Sequence, residues 1–69
     1  MTLRELEERL SSAGIANAQT EAAILVGHFC GVPFSHVPMM RDSELASAVL
    51  DDAVNRRLSG EPLQYILGK

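Results

Sequence analysis

The 69-residue chain has few aromatic residues, no tryptophan and a single cysteine. Its core must therefore consist mainly of Leu, Ile, Val and Ala. Because Cys30 has no second cysteine to pair with, the chain cannot form an internal disulfide, which fits a reducing cytoplasm. No apolar run approaches the roughly 20 residues of a membrane-spanning helix, and the charged start at Arg4 and Glu5 is not that of a signal peptide. We expect a cytoplasmic domain that does not bind a membrane.

Two further absences concern the fold and the ligands. No segment alternates polar and apolar residues, so no strand is predicted. The five glycines are isolated, and no glycine-rich loop is present to hold a cofactor or phosphate. A net charge of −3 and a pI of about 5.1 argue against binding of a nucleic-acid backbone. We expect neither direct nucleic-acid contact nor a cofactor site in this chain.

A metal or catalytic site is also not indicated. His28 and Cys30 lie two positions apart, which on a helix directs them to different sides. With His36 they still lack a fourth ligand and a typical ligand spacing. We interpret Cys30 as a small buried apolar residue and the two histidines as partly exposed. No catalytic residue and no metal ligand is predicted.

Helix signals fill the first half of the chain. Thr2 and Glu5 have the spacing of a capping box, and apolar residues at positions 3, 6, 10 and 13 form one face of a helix that Gly14 ends. Asn17 is the predicted N-cap of a second helix that runs to about Cys30. Its apolar face is broad, so we expect this helix to lie at the centre of the fold. A glycine within it, Gly27, suggests the close approach of another helix.

The second half contains a short helix and a long one. Prolines at positions 33 and 38 favour a short helix that Pro38 ends or kinks. Asp42 or Ser43 is the predicted cap of a long helix that extends through Ser59, in which Asp52 can pair with Arg56. The residues predicted to be buried on this long helix are Leu45, Ala46, Val49, Leu50, Ala53, Val54 and Leu58.

The closing stretch consists of a glycine stop and one last helical turn. Gly60 ends the long helix, and Pro62 begins a turn that extends to about Leu67. The predicted fold is all-α, a compact bundle of four to five short helices in one domain over residues 1–69. Because an apolar segment ending at Lys69 is unusual for a self-contained domain, we expect the chain to be part of a larger protein.

The closing stretch Arg56-Arg57-x-x-Gly60-Glu61-Pro62-x-x-Tyr65-Ile66-Leu67-Gly68 resembles the end of the N-terminal domain of the HemK/PrmC family of protein-glutamine methyltransferases. A second resemblance lies in the segment Thr20–His28, which is similar to the family's Asp-Ala-Glu-Leu-Leu-Leu type segment. The departure is Ala23, where the family usually carries Glu. The turn at Gly31 and the short helix after it also occupy the place expected from the family.

The resemblance implies a helical N-terminal domain, a connector and a Rossmann-like methyltransferase domain that binds S-adenosylmethionine. The implied substrate is the Gly-Gly-Gln loop of peptide-chain release factors, which is methylated on the glutamine side chain. The catalytic Asn-Pro-Pro-Tyr motif of the family is absent from this chain, so the fragment is expected to be non-catalytic. Its expected role is to help bind the release factor, next to its own catalytic domain.

Four residues are candidates for partner binding. Met39 and Met40 lie in an apolar cluster with Val37 and Phe34, which is explained either by core packing or by an adaptable contact surface. Arg56 and Arg57 could dock an acidic partner, or they could simply complement the dipole at a helix C-terminus.

Two other functions remain open from the sequence. Asp42-Ser43 before a long helix resembles the acyl-carrier pattern, in which the serine carries phosphopantetheine. Glu44 stands where that pattern has Leu, and the following helix is not markedly acidic. The other alternative is a free-standing helical module for protein interaction.

Overall fold

A computed structural model describes residues 1–68 and contains five helices and no strand within that range. The α-helices are α1 (Leu3–Ser12), α2 (Ala18–Cys30), α3 (Ala48–Leu58) and α4 (Leu63–Ile66), and a 3₁₀ helix spans Phe34–Met40. The domain measures 27 × 24 × 20 Å. The predicted all-α bundle is confirmed. Lys69, the last residue of the predicted domain range, lies outside the described residues.

Helix α1 begins and ends as its sequence predicts. The Thr2 hydroxyl accepts a hydrogen bond from the Glu5 amide at 3.2 Å, which satisfies one of the free N–H groups of the first turn. After Ser12 the chain turns at Gly14, whose φ is +85°, a conformation that glycine adopts without strain. Ala13, predicted to continue the buried face, is exposed because it already lies in this turn.

Helix α2 is the central element, as predicted. It contacts α1, α3 and the 3₁₀ helix, and its broad apolar face supplies four buried residues. The helix ends at Gly31 with φ +68°. Asn17 occupies the N-cap position, but its side chain makes no capping hydrogen bond. The backbone carbonyl of Asn17 instead accepts from the Glu21 amide at 2.9 Å.

The 3₁₀ helix runs past Pro38 to Met40. Of the two predicted effects of Pro38, an end or a kink, the end is therefore wrong. A 3₁₀ helix uses hydrogen bonds between residues three apart and is found in short pieces, such as the bond from the His36 amide to the Pro33 carbonyl at 2.8 Å. Only Val37 on this helix is fully buried.

Helix α3 begins at Ala48, several residues later than the predicted cap at Asp42 or Ser43. The true N-cap is Ser47, whose hydroxyl accepts from the Leu50 amide at 3.2 Å. The preceding segment is held instead by the N-terminus, because the Leu45 amide donates to the Met1 carbonyl at 2.8 Å.

The late start of α3 also alters its buried face. Ala46 lies before the helix and is exposed, and Val49 in the first turn is 60% exposed. Both were predicted to be buried. Leu58 is partly buried, and the other predicted residues lie in the core.

The last turn follows the prediction, with Pro62 at the N-cap of α4 and Gly68 at φ +79° after it. Ile66 on this turn reaches the core. The buried apolar residues form a single cluster: Leu3, Leu6, Leu10, Ala18, Ala22, Leu25, Val26, Val37, Leu45, Leu50, Ala53, Val54 and Ile66.

Among residues 1–68, no single helix is long and apolar enough to cross a membrane. Helix α2 and the 3₁₀ helix together reach the required length and composition, but they are bent by 104° where they join.

Candidate functional site

At the C-terminal end of α3, Arg57 connects three parts of the chain. Its Nε donates to Glu21 Oε1 at 2.7 Å and its Nη2 to Glu21 Oε2 at 3.3 Å. Its Nη1 donates to the backbone carbonyl of Glu61 at 3.3 Å. Both side chains of the ion pair are mostly buried, with 20% of Arg57 and 15% of Glu21 exposed. This two-point contact fixes the closing segment against α2.

The neighbouring Arg56 pairs with Glu61 rather than with Asp52, the partner predicted from helical spacing. Gly60, with φ +103°, turns the chain back so that the Glu61 carboxylate meets Arg56. Asp52 contributes a weaker, longer-range attraction. The Arg56–Glu61 pair therefore joins the end of α3 to the turn that follows it.

Both guanidinium groups are held in the charged form. The hydrogen bond to Glu21 raises the pKa of Arg57, and the attraction of the same carboxylate adds to this against a lowering by burial. The hydrogen bond to Glu61 likewise raises the pKa of Arg56. Neither group can therefore act as an acid or base near neutral pH.

These contacts bring together the two stretches that carry the family resemblance. Glu21 comes from the segment Thr20–His28, whereas Arg57 and Glu61 come from the closing stretch. Sequence reasoning missed Glu21 as a partner because 36 residues separate it from Arg57. The only available signal was the position of an acidic residue in the first turn of a largely apolar helix.

The second candidate site consists of two exposed apolar side chains of the 3₁₀ helix, Phe34 and Met39, which together we call the 3₁₀ patch. Phe34 is 59% exposed and Met39 is 79% exposed, whereas Met40 is partly buried against the core. Each of the two predicted explanations therefore holds for one methionine. Met40 packs against the core, whereas the side chain of Met39 is exposed to solvent.

The 3₁₀ patch belongs to an uncharged part of the chain. No Asp, Glu, Lys or Arg occurs between Glu21 and Arg41. Exposed Phe and Met side chains in such surroundings favour contact with an apolar surface of another protein, and Met adapts its shape to its partner. The patch offers no group for acid–base or nucleophilic chemistry.

The histidines and the cysteine do not form a site in the structure. His28 and His36 are exposed, as predicted, and His28 stacks edge-on against Phe29 with ring centroids 4.7 Å apart. Cys30 is partly rather than fully buried, and burial raises the pKa of its thiol. Within residues 1–68, no group of three or more His, Cys, Asp or Glu side chains could hold a metal ion.

A surface depression lies between the end of α1 and the start of α2. An ion pair borders it, with Arg41 Nη2 2.6 Å from Glu7 Oε1. The depression is open and mixed in polarity, and Glu8 also lines it.

The sequence profile of the PrmC N-terminal domain family matches residues 2–68. The chain belongs to this family. It is 35% identical over 75 aligned positions to the release factor glutamine methyltransferase of Moorella thermoacetica, and the alignment covers 99% of the chain. It is 33% identical over 69 positions to the bifunctional methyltransferase of Rickettsia bellii, with 96% of the chain covered. No solved structure matches the chain.

The PrmC N-terminal domain described here spans only part of these relatives. It corresponds to 26% of the Moorella protein and 12% of the Rickettsia protein. The family match confirms the resemblance found in the closing stretch and in the segment Thr20–His28. Both relatives are methyltransferases by name.

Proposed function

We propose that this domain binds the protein substrate of an S-adenosylmethionine-dependent methyltransferase that modifies peptide-chain release factors. In this proposal the catalytic domain follows in the same protein and transfers the methyl group to the glutamine of a Gly-Gly-Gln loop. The 69-residue chain supplies affinity and orientation and is not catalytic by itself. The protein acts in the cytoplasm, without contact to a membrane or to nucleic acid.

The family match over residues 2–68 carries the proposal. Support for the substrate comes from the Moorella relative, which is named a release factor glutamine methyltransferase. Support for a binding role comes from the chain itself, since its described residues offer an exposed apolar surface and no cluster of catalytic side chains.

We place the release-factor contact on the 3₁₀ patch, with Met39 as its most exposed side chain. Met40 supports the patch from its partly buried position. Arg56, whose side chain is 43% exposed, is a second contact candidate at the end of α3. Arg57 acts indirectly, because its donors are directed to Glu21 and Glu61.

The experiment replaces both patch residues, Phe34→Ser and Met39→Ser, in the full-length protein. Methyl transfer from labelled S-adenosylmethionine to a purified release factor is measured at varied release-factor concentration. We expect KM for the release factor to rise about tenfold, which corresponds to the loss of about 1.4 kcal/mol of binding energy. KM for S-adenosylmethionine should stay unchanged.

The matched control is Val49→Ser, which removes an equally exposed apolar side chain from α3. It should leave both KM values unchanged. Removal of residues 1–68 should weaken binding of the release factor at least as much as the double substitution. If removal leaves affinity and methylation rate unchanged, the recognition role is wrong.

The acyl-carrier alternative loses its structural premise, because Ser43 lies in a turn and α3 begins at Ala48. Mass spectrometry after incubation with a phosphopantetheinyl transferase checks this directly, and we expect no added mass on Ser43. A free-standing interaction module would be encoded by a gene that ends near Lys69. The proposed function requires a longer gene that encodes Asn-Pro-Pro-Tyr.

A further inference from the structure

Gly27 occupies an interior position of α2 that does not need a glycine for its backbone conformation. It is the one glycine of the chain that does not have a positive φ. Glycine is disfavoured within helices relative to alanine, so a glycine with ordinary helical geometry needs another explanation. The explanation lies in the space that the missing side chain leaves for a neighbouring part of the chain.

The space beside Gly27 is filled by the chain that leaves α2 and folds back. A Cβ atom at this position would lie 3.1 Å from the backbone carbonyl oxygen of Val32 and 4.0 Å from Val37 Cγ2. The first distance is shorter than ordinary van der Waals contact between carbon and oxygen, and the oxygen belongs to the backbone. An added methyl group would therefore require the backbone at Val32 to move by a few tenths of an ångström, since no flexible side chain can give way instead.

The contact at Gly27 lies directly beside the 3₁₀ helix. Its one fully buried residue is Val37, the same residue that lies against Gly27. Phe34 lies three residues before Val37, and Met39 lies two residues after it. We therefore expect a displacement of the backbone at Val32, just before the 3₁₀ helix, to move the 3₁₀ patch as well.

We propose that Gly27 is a positioning residue for release-factor binding, because its missing side chain sets the height of the 3₁₀ patch above α2. The inference rests on the proposed function, in which the patch binds the release factor. It differs from the sequence-based expectation of helix packing, since the close neighbour is a backbone carbonyl in the connection after α2.

The test is Gly27→Ala in the full-length protein, assayed for methylation of a release factor. We expect KM for the release factor to rise less than in the double variant, by about threefold, with kcat changed less than about twofold, as for the loss of part of an apolar contact. Independently of activity, the ¹³C-methyl NMR signal of Met39 should shift, because its surroundings change.

The matched control is Gly14→Ala, the same substitution at the end of α1. A Cβ at Gly14 meets no atom within 4 Å, but φ of +85° makes alanine strained there. This variant should lose stability without a change in KM or in the Met39 signal. If Gly27→Ala, like the control, loses stability without a rise in KM, the positioning role is wrong.

The Phe34→Ser and Met39→Ser double variant separates the two proposals. An unchanged KM in the double variant contradicts the placement of the contact and with it this inference. A raised KM in the double variant together with an unchanged KM in Gly27→Ala contradicts the positioning role alone.

Discussion

Arg57 and Glu21 form the most buried ion pair between two side chains among residues 1–68. Removing either residue leaves the charge of the other without its partner. We expect Arg57→Ala to destabilise the domain by roughly 1–2 kcal/mol, a value reduced from that of fully buried pairs because water still reaches both groups. Arg57→Lys should restore only part of this, since an ammonium cannot make the two-point contact. Urea unfolding followed by circular dichroism measures the change.

Arg56→Ala is the control for that prediction, because its pair with Glu61 is more exposed and joins residues within one turn. Arg56→Ala should lower the free energy of unfolding clearly less than Arg57→Ala does. A double-mutant cycle with Glu21→Ala isolates the coupling. Equal effects of the two arginine variants, or additive effects in the cycle, would contradict the structural role of Arg57.

Cys30 provides a prediction about pH at the same scale. Burial raises the pKa of its thiol in the folded state, so the folded domain retains the proton at pH values where the unfolded chain has already lost it. The resulting stability is complete below the ordinary cysteine pKa of about 8.5 and decreases as the pH rises above it. Iodoacetamide should react more slowly with the folded domain than with the urea-unfolded chain at pH 8.5. Equal rates would show that the thiol is not shielded.

The start of α3 is the clearest prediction at the scale of an element. Ser47 caps the helix through its hydroxyl, whereas Ser43 lies in the preceding turn. Ser47→Ala should cost about 1 kcal/mol, the usual value for a lost N-cap. Ser43→Ala should have almost no effect on the free energy of unfolding. The reverse order would place the helix start where the sequence predicts it.

The elements that the sequence predicts well are those whose ends depend on neighbouring residues. Thr2 caps α1, and Gly31 ends α2, through contacts and backbone angles within one turn. The start of α3 is different. Asp42 and Ser43 have capping chemistry similar to that of Ser47, but Leu45 in the segment that follows them donates a backbone hydrogen bond to Met1. Local sequence patterns do not contain this long-range hydrogen bond.

The two candidate sites show the same difference between what local sequence patterns predict and what depends on distant residues. The closing stretch could be identified from its residues, but its physical role could not, because Glu21 lies far away in sequence. The methionines could be assigned to an apolar cluster. Which of them faces outward depends on the 3₁₀ geometry around Val37, and three-residue turns rotate side chains differently from the α-helical pattern.

At the scale of the whole molecule, the domain is small, and its stability should be correspondingly low. At roughly 0.05–0.15 kcal/mol per residue, a chain of this length has a free energy of unfolding of several kcal/mol. The core is one aliphatic cluster, so the elements are expected to unfold together in a single transition.

Leu25 on the central helix α2 is fully buried. Its replacement tests whether the stability of the whole domain depends on this single core. Leu25→Ala should cost about 2–5 kcal/mol through lost burial and the cavity left behind, which is a large part of the total. Thermal unfolding of the isolated domain should show a much lower midpoint or no folded state at 37 °C. Val49→Ala removes an exposed apolar side chain and should change stability by no more than about 0.5 kcal/mol. A folded, cooperative Leu25→Ala domain with a midpoint close to that of Val49→Ala would mean that α2 does not hold the bundle together.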